Sequence, residues 1–177
     1  QAVTGYDSQD LHSLNEPVPD CLTSLDSQQK PSLGLVRQHF FDYANEEMQR
    51  HTEEVVERLR QAGAGVEEVA LPSGFAELHE VNRTLMSVES ATYHQEMFAR
   101  RKEQYRPKIR QTIERGLATP ATEYVKMLQV RLRQRTEVES MLSQVDALLT
   151  PGAPGTAPRD LTTTGDPVIQ RPWTTIG

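Results

Sequence analysis

The chain has 177 residues, 25 acidic against 19 basic side chains, a formal net charge of -6 and a mean hydropathy of -0.60. No apolar run approaches the roughly 18 residues that cross a bilayer, which excludes a membrane-spanning helix. The negative surplus repels phosphate backbones and argues against general nucleic-acid binding. Arg100-Arg101-Lys102 and the alternating Arg131, Arg133 and Arg135 lie among glutamates and read as solvated helix faces. Cys21 stands alone, so neither an internal disulfide nor a cysteine-built zinc site is possible, and a reducing, cytoplasmic compartment is the expectation. The chain opens at Gln1 without a visible secretory leader and reads as a piece of something longer.

Residues 1–31 are dense in turn formers, among them Asp7, Asp10, Asn15, Pro17, Pro19, Asp20 and Pro31, and predict an irregular arm. Leu33, Leu35 and Val36 around Gly34 then predict a buried strand. Asn45 suits the cap of a helix running to about Ala62, with Glu46 and Glu47 at its positive end and Met48, Val55, Val56 and Leu59 on its apolar side. Gly63 and Gly65 end it. Val66, Val69 and Leu71 predict a second strand, closed by Pro72, and strand, helix, strand is the pattern of a parallel crossover.

A long helix follows from Phe75 to about Arg101, interrupted before Pro107, and a shorter one spans Ile109 to Arg115 and stops at Gly116. Thr119 as cap and Pro120 at the first helical position open a fourth helix, with Tyr124, Leu128, Leu132, Val138, Met141, Leu142 and Val145 on its buried side. Asp146 to Pro151 reads as a third short strand. Beyond it Gly152, Pro154, Gly155, Pro158, Gly165 and Pro167 predict loop only. The result is a helix-rich α/β fold in one incomplete domain, 1–177. It has an arm (1–31), a strand-helix-strand unit with long helices (32–149) and a Pro/Gly-rich loop region (150–177). Three strands with open edges call for more strands beside them.

No catalytic constellation stands out. His12, His39, His51, His79 and His94 show no ligand spacing for a metal, and His79-Glu80-Val81-Asn82-Arg83 departs from the helical zinc signature because a cation occupies the second histidine position. There is no Gly-x-Ser-x-Gly elbow and no phosphate loop; Ser73, in the one Ser-Gly pair, reads as a helix cap. Lys30, Lys102, Lys108 and Lys126 all sit in polar surroundings, unlike a lysine desolvated for proton transfer. Adjacent pairs such as Glu46-Glu47 and Glu67-Glu68 point apart on a helix or a strand.

Several segments, in order, resemble the amidase signature family of amide hydrolases. They are Thr4-Gly5-Tyr6-Asp7-Ser8-Gln9-Asp10, Ser32-Leu33-Gly34-Leu35-Val36, Leu59-Arg60-Gln61-Ala62-Gly63-Ala64 with Val66 to Pro72, and Glu89-Ser90-Ala91-Thr92-Tyr93-His94. Asp146 to Pro151, Thr164-Gly165-Asp166-Pro167 and Arg171-Pro172-Trp173-Thr174 continue the match. The resemblance implies that the small, partly parallel sheet belongs to a larger amidase-type α/β/α layered fold. It implies hydrolysis of a carboxamide by a serine assisted by a second serine and a lysine, with backbone amides stabilising the oxyanion. That core lies upstream of the segment matched by Gly5, so no catalytic residue is assigned here and the chain alone is expected to be inactive. No cofactor and no metal are implied. Trp173, Thr150, Asp166, Glu89 and Tyr93 are the positions expected nearest a small amide substrate in the complete enzyme. Gly152-Ala153-Pro154 and Gln170 depart from the family's pattern beside them. The alternative is a non-catalytic helical interaction module on an amidase-derived scaffold. In either case, apolar surface bared by the missing half offers a route to self-association.

Overall fold

The structure, a computed structural model, describes residues 4–10, 13–26, 29–160 and 162–177. The chain divides into two compact units, 1–30 and 31–177. The first has the irregular character expected of the arm. Asp7 accepts the amide of Gln9, and Asp20 accepts the amides of Leu22 and Thr23 and the Thr23 hydroxyl ahead of a 3-10 turn at Thr23–Asp26. The parts of that arm at 1–3, 11, 12, 27 and 28, His12 included, lie outside the described residues.

The second unit carries a three-stranded sheet of β1 (Ser32–Leu35), β2 (Gly65–Glu68) and β3 (Ala147–Leu149), in the order β2-β1-β3 with both pairings parallel. Between the first two strands run α1 (Phe40–Tyr43) and α2 (Glu46–Gln61), which completes the expected parallel crossover. Asn45 caps α2 through its side-chain oxygen, which accepts the Met48 amide at 2.9 Å, and Gly63 (φ 90°) supplies the left-handed residue that ends the helix. Gly65, expected to help stop α2, opens β2 instead. One long-range clamp sets the register of the third strand: Asp146 accepts the Ser32 amide at 2.7 Å while its own amide donates to Ser32 O at 2.8 Å.

The remaining helices are α3 (Leu78–Arg101), α4 (Pro107–Ala118), α5 (Ala121–Leu142) and α6 (Gln170–Ile176). Three clusters of buried side chains follow one another along α3. Leu78 packs with Val36, Phe40, Phe75, Val138 and Ile169; Val81 and Leu85 pack with Met127 and Val130 of α5; Ala91 and Phe98 pack with Ile113 of α4. The basic stretches on α3 and α5 face water and pair with carboxylates, as Arg135 does with Glu139.

Four local expectations are corrected. Gly116 does not stop α4, which runs on to Ala118; it is buried, and a Cβ there would sit 1.9 Å from Ser87 O and 2.7 Å from the Ala91 Cβ, so only glycine lets α4 come this close to α3. Thr119 does not cap α5: its hydroxyl turns back to donate to Arg115 O at 2.9 Å and closes α4. Ser73 makes no side-chain cap either, and its carbonyl accepts the Gln134 amide at 2.8 Å. On α5, Leu132 is 66% exposed and Leu142 is exposed, while Met127, Val130, Gln134 and Val138 are buried. Residues four apart advance about 40° around a helix, so the row Tyr124, Leu128, Leu132 rotates out of the interface.

Substituting Gly116→Ala forces α3 and α4 apart. The expected loss is about 2 kcal/mol or more, as for other overpacked sites. Thermal denaturation followed by circular dichroism should show a midpoint lower by roughly 5 °C.

Candidate functional site

The segment expected to be only loop contains α6, and this helix organises the site. Val168, Ile169, Pro172, Thr175 and Ile176 are buried against α3 and α5, and Pro172 is tolerated because the first helical turn has no amide to lose. The Arg171 amide donates to Pro167 O at 2.8 Å, so the Asp166-Pro167 turn starts the helix. Trp173 lies parallel to Phe40 (ring centroids 5.2 Å apart, planes 10°) and is tilted on Phe75 at 5.3 Å. Its outer surface, with Thr150, Leu148, Val138, Leu142 and Ile176, lines an open, largely apolar cavity of about 420 Å³.

A polar corner lies beside this aromatic stack. The Nε2 atoms of His39 and His79 meet at 3.0 Å, with Tyr43 edge-on to both rings. His39 holds φ 69°, a region that costs a side-chain-bearing residue on the order of 1–3 kcal/mol. Burial, then the neighbouring His79, pushes the His39 pKa below its ordinary value against the opposing pull of Asp42. Burial, then Arg171, does the same to His79, with Asp166 opposing. Two imidazoles facing nitrogen to nitrogen hold one proton between them comfortably and two only with repulsion. The His79 Nδ1 is buried with no hydrogen-bond partner, and Arg171 lies 3.5 Å from Asp166. Among the described residues no three metal-ligating side chains gather.

The structure therefore places Thr150 and Trp173 in one cavity and Asp166 at the adjoining corner. It does not bring Glu89 or Tyr93 there. Both are exposed on α3, Tyr93 at 86%, and Tyr93 lies about 21 Å along the helix from His79. Sequence reasoning misses His39, His79 and Arg171 as site residues. Their two sequence signals are the His79-Glu80 run and the Arg171-Pro172-Trp173 segment, and the 40-residue gap between the two histidines hides their contact.

Both histidines bind protons less readily in the folded chain than in the unfolded one, so the unfolded state holds the surplus protons below about pH 6.5 and stability falls as pH drops through that window. Melting curves between about pH 7.5 and about pH 5 should show a falling midpoint. His79→Gln should flatten that fall.

Comparison with known proteins bears on what this corner belongs to. The amidase family model matches residues 1–173. An amidase of Pseudomonas putida is 29% identical across 90% of this chain, and a glutamyl-tRNA(Gln) amidotransferase subunit from Geobacter sp. (strain M21) is 28% identical across 86%. The chain spans 34% and 36% of the lengths of these two relatives. A crystal structure of an amidase superposes with a TM-score of 0.77 at 26% identity, over 84% of this chain and 37% of that one. A protein from a vestigial complex tied to the origins of an s-triazine catabolic enzyme superposes with a TM-score of 0.83 over 99% of this chain and 40% of its own; at 19% identity that likeness concerns fold alone. The order of strands, crossover and helices, together with a match along nearly the whole chain, makes this a member of the amidase family.

Proposed function

We propose that the chain is the substrate-side portion of an amidase signature hydrolase that cleaves a carboxamide C–N bond, and that residues 1–177 form one incomplete domain of it. The observation that carries this reading is the convergence of Thr150 and Trp173, from separate segments, on one open cavity at α6, the helix that also carries Arg171 against Asp166. An indole wall with a neighbouring hydroxyl suits an uncharged carbon chain ending in a polar group. In this reading Trp173 and Thr150 flank the substrate and Asp166 orients Arg171. Glu89 and Tyr93 would reach substrate only where other parts of the protein bring it to α3. The nucleophilic serine, its partner serine and the lysine implied by family resemblance would come from outside residues 1–177, with no metal or cofactor needed.

The purified chain, with its mass confirmed, should release no ammonia from a panel of small amides while its circular dichroism spectrum remains strongly helical. Turnover would overturn the claim that the catalytic groups lie elsewhere.

A second reading, a non-catalytic interaction module, is favoured by the exposure of Met86, Tyr93 and Met97 along α3 and of Leu132 on α5. The gene separates the two. An open reading frame carrying the lysine and serines upstream of Gln1 supports the hydrolase.

A further inference from the structure

On the side of α6 away from Trp173, helices α3, α4 and α6 line another open cavity, of about 340 Å³. Arg171 and Trp173 are two residues apart and so point about 200° apart around α6, which is why one helix serves both cavities. Each of the three helices sends one guanidinium to this second wall: Arg83 from α3, Arg115 from α4 and Arg171 from α6. Two of them have carboxylate partners. Arg83 pairs with Glu80, and Arg171 lies 3.5 Å from Asp166. Among the described residues, Arg115 has no carboxylate within ion-pair distance, and of the two carboxylates that pair with the other guanidiniums only Glu80 lines the cavity.

A concave wall with one uncompensated guanidinium attracts an anion, and the planar fork of arginine matches a carboxylate bidentately. The Glu80 carboxylate in the wall would repel a dianion more than a monoanion, which favours a carboxylate over a phosphate. The Arg83–Glu80 pair is itself about half exposed, so it is weak enough to rearrange around a ligand. Asn82 lines the same cavity and offers both donor and acceptor atoms to a neutral polar group, such as an amide. The volume suits a molecule of a few carbon atoms.

We propose that this cavity is a second binding site, separate from the Trp173–Thr150 cavity, in which Arg115 and Arg171 hold the carboxylate of a small organic acid whose other end is a neutral polar group. The site stands on the arginines and does not depend on the hydrolase reading.

Isothermal titration of the chain with succinamate and with its neutral counterpart succinamide tests it. Succinamate should bind tighter by about tenfold or more, the scale of a charge-assisted hydrogen bond. Arg115→Gln and Arg171→Gln should each erase most of that preference. Arg100→Gln, at the far end of α3, should leave it intact, with circular dichroism verifying that every variant is folded. Equal binding of the two compounds, no binding of succinamate, or a preference that survives both arginine changes would overturn the proposal. Inorganic phosphate binding as tightly as succinamate would replace the carboxylate site with an unselective anion pocket. Failure here is distinct from failure of the hydrolase reading. A complete protein that releases ammonia from amides, while its chain shows no preference for succinamate, sinks only the carboxylate site. A chain that binds succinamate selectively, within a complete protein that hydrolyses no amide, sinks only the hydrolase.

Discussion

The helices of the larger unit are arranged around the burial of one of them. α3 is 24 residues long, and its apolar stripe is too long for any single neighbour to cover. Three partners divide it. The aromatic cluster of Phe40 and Phe75 takes its start, α5 its middle and α4 its end. Each contact removes apolar surface from water, at roughly 25 cal/mol per Å². The division also fixes where α4 must lie, and the approach is so close that the Gly116 backbone presses on Ser87 without room for a methyl group. With α4 fixed, Arg115 is carried to the same hollow as Arg83 and Arg171. The packing constraint and the charge cluster are thus one arrangement seen on two sides of α4.

The sheet has a different logic. Only β1 has a neighbour on each side, and β2 and β3 leave their outer backbone groups unpaired with other strands of the described sheet. Parallel strands are ordinarily covered on both faces and flanked by further strands. A chain that spans about a third of its relatives' length is consistent with a sheet that continues elsewhere. The exposed apolar side chains of α3 and α5 fit the same picture, because surfaces that face a neighbouring segment of a larger fold keep their apolar character.

Much of the fold was legible from local signals, since those signals act within one or two turns of chain. Asn45 and Gly63 bracket α2 because a cap and a left-handed stop depend on neighbouring residues only. The misreadings share a cause. Gly116 carries the usual mark of a helix end, but it answers to another helix. Thr119 carries the mark of a cap, yet its hydroxyl satisfies the helix behind it instead of the one ahead. Among glycines and prolines, α6 was invisible because its stability comes from burying Val168, Ile169 and Ile176 against a core drawn from distant segments of the chain, from Val36 to Val138. The candidate site divides the same way. Thr150, Asp166 and Trp173 could be named from the segments that resemble the family, while Glu89 and Tyr93, named on the same grounds, lie elsewhere on α3.

The sequence by itself determined the three strands, the four long helices, their order and the family, because hydrophobic period, caps and a run of similar segments are all written along the chain. Only the tertiary structure decided which charges meet. His39 and His79 lie 40 residues apart, and Arg83, Arg115 and Arg171 come from three helices whose mutual angles no local pattern encodes. Electrostatic interaction falls off with distance in space and is indifferent to separation in sequence, so the groups that set the chemistry of this corner become visible only after the apolar faces of α3, α4, α5 and α6 have found one another.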